Sequence, residues 1–119
     1  MFIPEGGMVK LNIRNENEIN IFELVGKLDS SNAQSFKDEF LNQLSADKLK
    51  IIINCAQLEF LSSAGIRIFY LASQKIKNFD AKIVFCNANE NIQRVFEIID
   101  FNSDFAVYNS LDEALNSLK

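Results

Sequence analysis

The start of the chain has the two-residue period of β-strands. Apolar and polar residues alternate over residues 9–14, which is typical of a half-buried strand. A polar turn at 15–18 separates this strand from a second apolar stretch at 19–25, so the pattern predicts an antiparallel hairpin. Residues 26–30, with the sequence Gly-Lys-Leu-Asp-Ser, predict a break before the first helix.

From residue 31 onward, stretches of helical period alternate with short, almost wholly apolar runs. Helices are predicted to begin at four polar residues that can cap them: Ser31 (with Gln34 as a capping box), Ser63, Asn89 and Ser110. The second helix is expected over 64–77. The apolar runs predict strands at 49–54, 81–86 and 105–108.

The resulting order, β-β-α-β-α-β-α-β-α, predicts an α/β fold with a single mixed β-sheet. We expect about five strands opening with an antiparallel hairpin and covered by about four helices. Residues 1–7, with one proline and two glycines, are expected to form a flexible leader, and residues 8–119 a single domain. Apolar residues at helical or strand spacing are expected in the core; they include Phe36, Phe40, Phe69, Phe85, Phe96, Ile99 and Phe101.

Composition excludes several classes of function. The net charge of −4 and the absence of a basic cluster argue against direct binding of nucleic acid. No run approaches the length of a membrane span and the start lacks a signal-peptide pattern, so we expect a cytoplasmic protein without membrane insertion.

The chain also lacks the usual residues of catalytic and metal sites. It has no histidine and two cysteines, Cys55 and Cys86, which cannot complete a tetrahedral metal site. Both cysteines are expected to be reduced and buried. There is no nucleophile elbow and no phosphate-binding glycine loop. We therefore expect a protein that is not an enzyme and needs no metal or cofactor.

The candidate chemistry lies in residues 61–65, Leu-Ser-Ser-Ala-Gly, between a buried strand and a helix. The simplest interpretation makes Ser63 an N-cap. However, two adjacent hydroxyls exceed what one cap requires, and a helix N-terminus stabilises an anion through its free N–H groups and its dipole. The small residues Ala64 and Gly65 would let a bulky group approach, so Ser63 could also carry a phosphate.

Residues 58–67, with the sequence Leu-Glu-Phe-Leu-Ser-Ser-Ala-Gly-Ile-Arg, resemble the signature of the STAS family of anti-sigma factor antagonists. Residues 26–29 with Asn32, Ala33 and Phe36 resemble an earlier block of that family, and residues 95–98 with Phe101 a later one. The blocks occur in the family order. Asp100 stands where a glycine is common in the family.

The resemblance implies a protein switched by phosphorylation. In the family, the unphosphorylated antagonist binds an anti-sigma factor that is a serine kinase, which releases the sigma factor. The kinase phosphorylates the antagonist, and a phosphoserine phosphatase resets it. Matching the motif makes Ser63 the acceptor, with Ser62 as a second candidate because it stands where many members have aspartate.

The same resemblance gives a partner-binding surface, and it leaves one alternative open. The surface would comprise Asp29, Asn32, Ser62, Ala64 and Gly65, although Asp29 could equally serve only to turn the chain. Some family members are never phosphorylated and act as scaffolds in signalling assemblies or as accessory subunits of transporters.

Overall fold

The fold is a five-stranded mixed sheet with helices on both faces. The computed structural model describes residues 9–119; the expected leader at residues 1–7 lies outside the described residues. The strands are β1 (Val9–Glu16), β2 (Ile19–Leu28), β3 (Lys50–Leu61), β4 (Lys82–Cys86) and β5 (Ala106–Tyr108). The α-helices are α1 (Ala33–Asn42), α2 (Ser63–Ile76), α3 (Glu90–Ile98) and α4 (Leu111–Ser117). The predicted fold class and element order are confirmed.

The strands lie in the order β1-β2-β3-β4-β5. The pair β1–β2 is antiparallel and every other neighbouring pair is parallel. Since β2 to β5 are sequential and parallel, right-handed crossovers place α1, α2 and α3 on the same face of the sheet. The core agrees, because the buried residues of these three helices pack together in one cluster and those of α4 in another.

A chain of phenylalanine rings joins the three helices to the sheet. Phe40 of α1 contacts Phe22 of β2 edge-to-face and also contacts Phe69 of α2, which packs on Phe85 of β4 with ring centroids 4.9 Å apart. Edge-to-face pairs add about 0.5–1.5 kcal/mol each beyond the area they bury. All the phenylalanines expected in the core are buried: Phe36, Phe40, Phe69, Phe85, Phe96 and Phe101.

Two predicted strand ends are wrong. The break expected at residues 26–30 begins only after Leu28, because Gly26 takes a φ of 106° at a shift in the β2–β3 register and the strand continues. The strand expected at 49–54 extends to Leu61. It pairs with β4 only as far as Asn54, but with β2 from Ile51 to Leu61.

Two further local predictions are also wrong. The capping box at Ser31 does not form: α1 begins after Asn32, and the Ser31 hydroxyl donates to Asp29 instead. Ile99, expected in the core, follows the last residue of α3 and is 41% exposed. The caps at Asn89 and Ser110 are confirmed, since each accepts a hydrogen bond from the N–H three residues later.

Several turns rest on residues other than glycine in the left-handed conformation. Asn17 and Glu18 turn the chain between β1 and β2, Asp80 follows α2, Asn87 follows β4 and Asp100 follows α3. Asp100 is the residue that stands where the STAS pattern it resembles commonly has a glycine. Its φ of 57° is a conformation that glycine adopts without strain.

The two cysteines are free thiols that face opposite sides of the sheet. Cys55 belongs to the cluster under α1, α2 and α3, whereas Cys86 belongs to the cluster under α4. Both are fully buried. Burial raises the pKa of Cys86 to about 11 and also raises the pKa of Cys55. The thiols are therefore protonated and shielded at neutral pH.

We expect both thiols to react slowly in the folded protein and rapidly in denaturant, because reaction requires an exposed thiolate. Titration with a thiol reagent, followed by mass spectrometry, measures this. Rapid labelling of both cysteines in the native protein would contradict the buried positions.

Phe69→Ala should lower the free energy of unfolding by about 3–5 kcal/mol, because it opens a cavity between α2 and the sheet. Ile98→Ala is the control, since Ile98 is 77% exposed and its truncation should change stability by less than about 0.5 kcal/mol. Denaturant unfolding measures both values. Equal losses in the two variants would show that the ring chain does not hold α2.

Candidate functional site

The candidate residues gather at the carboxyl edge of the sheet, defined here as the edge where the parallel strands β2, β3 and β4 end. Leu28 and Leu61, the last residues of β2 and β3, are register partners. The N–H of Ser62 donates to the carbonyl of Leu28 over 2.9 Å. This bond fastens the start of α2 to the loop that begins at Asp29.

Ser62, and not Ser63, caps α2. The Oγ of Ser62 accepts the N–H of Gly65 over 3.2 Å, and its carbonyl accepts the N–H of Ile66 over 3.0 Å. The predicted cap at Ser63 is therefore wrong by one residue. Local spacing could not decide between two adjacent serines, because both are good caps.

Ser63 is the first residue of α2, and it is exposed. Its hydroxyl makes no hydrogen bond with any group in residues 9–119. The N–H groups of Ser63 and Ala64 also lack partners in the preceding turn, as the first N–H groups of a helix do. A free hydroxyl therefore stands beside free donors at the positive end of a helix dipole.

Gly65 lets α2 approach the strand ends closely. A Cβ atom at this position would lie 2.7 Å from Cγ of Leu28 and 2.7 Å from Cδ1 of Leu61. Carbon atoms pack at about 3.5–4.0 Å, so any larger residue would push the helix away from the sheet. Gly65 is buried, and its close approach to Leu28 and Leu61 fixes the position of the first turn of α2, which includes Ser63.

Asp29 and Asn32 shape the loop between β2 and α1. The Asp29 carboxylate accepts the hydroxyl and the N–H of Ser31, and these hydrogen bonds hold the pKa of Asp29 below its ordinary value. Asn32 accepts the N–H of Asp29 and donates to the carbonyl of Lys27 over 2.7 Å. The structure thus uses Asn32 within the loop, while Asp29 presents an ionised carboxylate at the carboxyl edge.

Two grooves flank the start of α2. The α1–α2 groove, of about 170 Å³, is lined by Ala33, Gln34, Lys37, Ala64, Arg67 and Ile68. The α3 groove, of about 220 Å³, is lined by Glu59, Phe60, Leu61, Asn91, Ile92 and Val95.

Phe60 lines the α3 groove and is 49% exposed. It lies in the part of β3 that extends beyond Asn54, the last residue paired with β4. The sequence did not single out Phe60 or Lys37, because no local pattern shows that β3 extends beyond β4 or that α1 and α2 form a groove.

A larger depression, of about 380 Å³, lies at the opposite edge of the sheet and is lined by both acidic and basic side chains. It contains none of the candidate residues. Among residues 9–119 there is no cluster of side chains that could hold a metal ion, and no helix long and apolar enough to cross a membrane.

Comparison with known families matches residues 10–114 to the STAS domain. The chain belongs to the STAS domain family. The matched range includes residues 58–67, which resemble a STAS signature in the sequence.

Relatives of this STAS domain support the same assignment. It is 29% identical over 96 residues to BtrV of Bordetella bronchiseptica, provisionally named an anti-sigma factor antagonist; the match covers 81% of this chain and 83% of BtrV. An anti-sigma factor antagonist from Mycobacterium paratuberculosis has the same fold, with a TM-score of 0.82, 18% identity and coverage of 92% and 93%. The Bacillus cell fate determinant SpoIIAA in its phosphorylated form gives a TM-score of 0.67, 16% identity and coverage of 94% and 100%.

Ser62→Ala should lower the stability of this STAS domain by about 1 kcal/mol, because it removes the cap of α2. Ser63→Ala, the matched control at the next residue, should change stability by less than about 0.5 kcal/mol. Thermal or denaturant unfolding of both variants measures the difference. The reverse order of stabilities would mean that Ser63 is the cap.

Proposed function

We propose that this STAS domain is an anti-sigma factor antagonist controlled by phosphorylation of Ser63. Unphosphorylated, it binds an anti-sigma factor that is a serine kinase and so releases the sigma factor. The observation that carries the proposal is that the two adjacent serines have different roles. Ser62 caps α2, and Ser63 has a free, exposed hydroxyl.

The acceptor is Ser63 rather than Ser62 because their hydroxyls differ in access and in use. A kinase must bring the γ-phosphoryl group of ATP to the attacking oxygen; the phosphoryl group is transferred to Oγ, and ADP and the hydroxyl proton leave. Ser62 is half-buried and its oxygen is engaged with the N–H of Gly65. Modifying it would break the cap, whereas modifying Ser63 breaks no bond within the domain.

The partner-binding surface proposed here surrounds Ser63 at the carboxyl edge. Ala64 and Gly65 add no bulky side chain to this surface, and Asp29 adds an ionised carboxylate. Phe60 adds an exposed aromatic side chain of the kind enriched in interfaces. Asn32 and Ser62 contribute by holding the loop and the helix start in place.

Phosphorylation should change this surface and leave the fold intact. A phosphoserine adds about −1.5 to −2 charge. The first turn of α2 tolerates that charge through the N–H groups of Ser63 and Ala64 and the helix dipole. A partner that presents nucleotide phosphates or carboxylates there would meet a bulky like charge, which costs several kcal/mol of binding.

The relatives favour this role. BtrV is named as an antagonist of an anti-sigma factor, and SpoIIAA has a phosphorylated form. A phosphoserine phosphatase would restore the binding form, so the cycle needs two partner proteins in the cytoplasm. The domain itself binds and performs no catalysis in this scheme, and it requires no cofactor.

The test is incubation of the protein with ATP and the serine-kinase anti-sigma factor of the same organism, followed by intact mass and site mapping. The parent and Ser62→Ala should each gain one phosphoryl group, and Ser63→Ala none. In titrations against the kinase, Ser63→Ala should bind like the parent. Ser63→Asp should bind at least about ten-fold more weakly while melting near the parent temperature.

Three outcomes would contradict the proposal: phosphate mapped to Ser62, tight binding by Ser63→Asp, or unfolding of that variant. Binding without any phosphorylation would instead support a scaffold or accessory subunit with the same fold.

A further inference from the structure

The α1–α2 groove, whose lining includes Ala64 next to Ser63, carries two cations. Lys37 is the fifth residue of α1 and Arg67 is the fifth residue of α2. Both helices start at the carboxyl edge and run back along the same face of the sheet, so the two side chains lie across the groove from each other. The groove lining includes no acidic side chain.

Neither cation is neutralised. Within residues 9–119, Lys37 and Arg67 make no ion pair and no hydrogen bond. The carboxylate of Asp38 accepts a hydrogen bond over 3.2 Å from the amide of Gln34, a residue of the lining, and does not pair with either cation. The groove therefore offers two unpaired positive charges to an incoming anion.

The helix geometry directs Arg67 toward Ser63. Residues four apart on a helix lie on one face with Cβ atoms about 5–6 Å apart. Long helical side chains lean toward the N-terminal turn, which here contains Ser63. A phosphoryl group on Ser63 is thus attracted toward the groove by the guanidinium of Arg67 on the same helix face.

We propose that Lys37 and Arg67 capture the phosphoryl group of phosphorylated Ser63. This inference rests on the proposed function for its biological meaning, since it concerns the modified state of the same serine. An arginine can bind phosphate through two parallel N–H donors, and a lysine binds it as a point charge. Capture holds the phosphoryl group in one orientation and neutralises the two cations at the same time.

The experiment installs phosphoserine at position 63 during translation, so it needs no kinase. Titration of the ³¹P resonance then follows the second ionisation of the phosphoryl group. Nearby cations favour the dianion, so the pKa of the phosphoryl group should lie below its usual value. It should rise in both Lys37→Gln and Arg67→Gln.

Arg94→Gln is the matched control, because Arg94 is an exposed arginine on α3 outside the groove. It should leave the titration midpoint unchanged. Melting of each unmodified variant confirms that the fold is intact. Equal midpoints in the parent, Lys37→Gln and Arg67→Gln would overturn the proposal, as would an equal shift in Arg94→Gln.

The outcome is separable from that of the proposed function. If no kinase modifies Ser63, the proposed function fails while the titration of the installed phosphoserine can still show capture. If the kinase modifies Ser63 but the groove variants leave the midpoint unchanged, only the capture fails.

Discussion

The parallel pairing of β2 with β3 is the constraint on which the site depends. It continues for seven residues after β4 has stopped pairing with β3, and it ends with Leu28 beside Leu61. Because parallel strands end at the same edge, the loop at Asp29 and the start of α2 meet there. The backbone bond from Ser62 to Leu28 then fixes their separation. Without the extended pairing, these two segments would have no common anchor.

The polar groups at this edge fall into two kinds. Asn32 and Ser62 spend their side chains on backbone groups of neighbouring residues, so they hold the geometry and offer little to a partner. Ser63 and Arg67 have no such contacts and face solvent. Buried polar atoms must be satisfied internally, whereas free ones at the surface are available for binding. This division separates the framework of the site from its chemistry.

The sequence predicted the element order and the core because both follow from periodicity. The alternation at residues 9–14 and the helical spacing of the phenylalanines are local patterns, so they do not depend on which elements pack against them. The predicted cap of α2 was off by one residue, because two adjacent serines satisfy the same local rule and tertiary contacts decide between them. The extension of β3 was missed because residues 55–61 pair on one side only, with β2, and their pattern is irregular. The groove cations Lys37 and Arg67 lie on different helices, and no local signal relates them.

The turns with left-handed residues are distributed unevenly over the molecule. Asn17 and Glu18 lie where β2 begins, while Asp80 and Asp100 follow the ends of α2 and α3. All four positions belong to the edge of the sheet opposite Ser63; Asn87, after β4, is the exception. A residue with a Cβ atom is strained in this conformation and glycine is not. Selection can therefore raise or lower the stability of the domain at one edge through these turns, while the surface proposed for partner binding at the other edge stays unaltered.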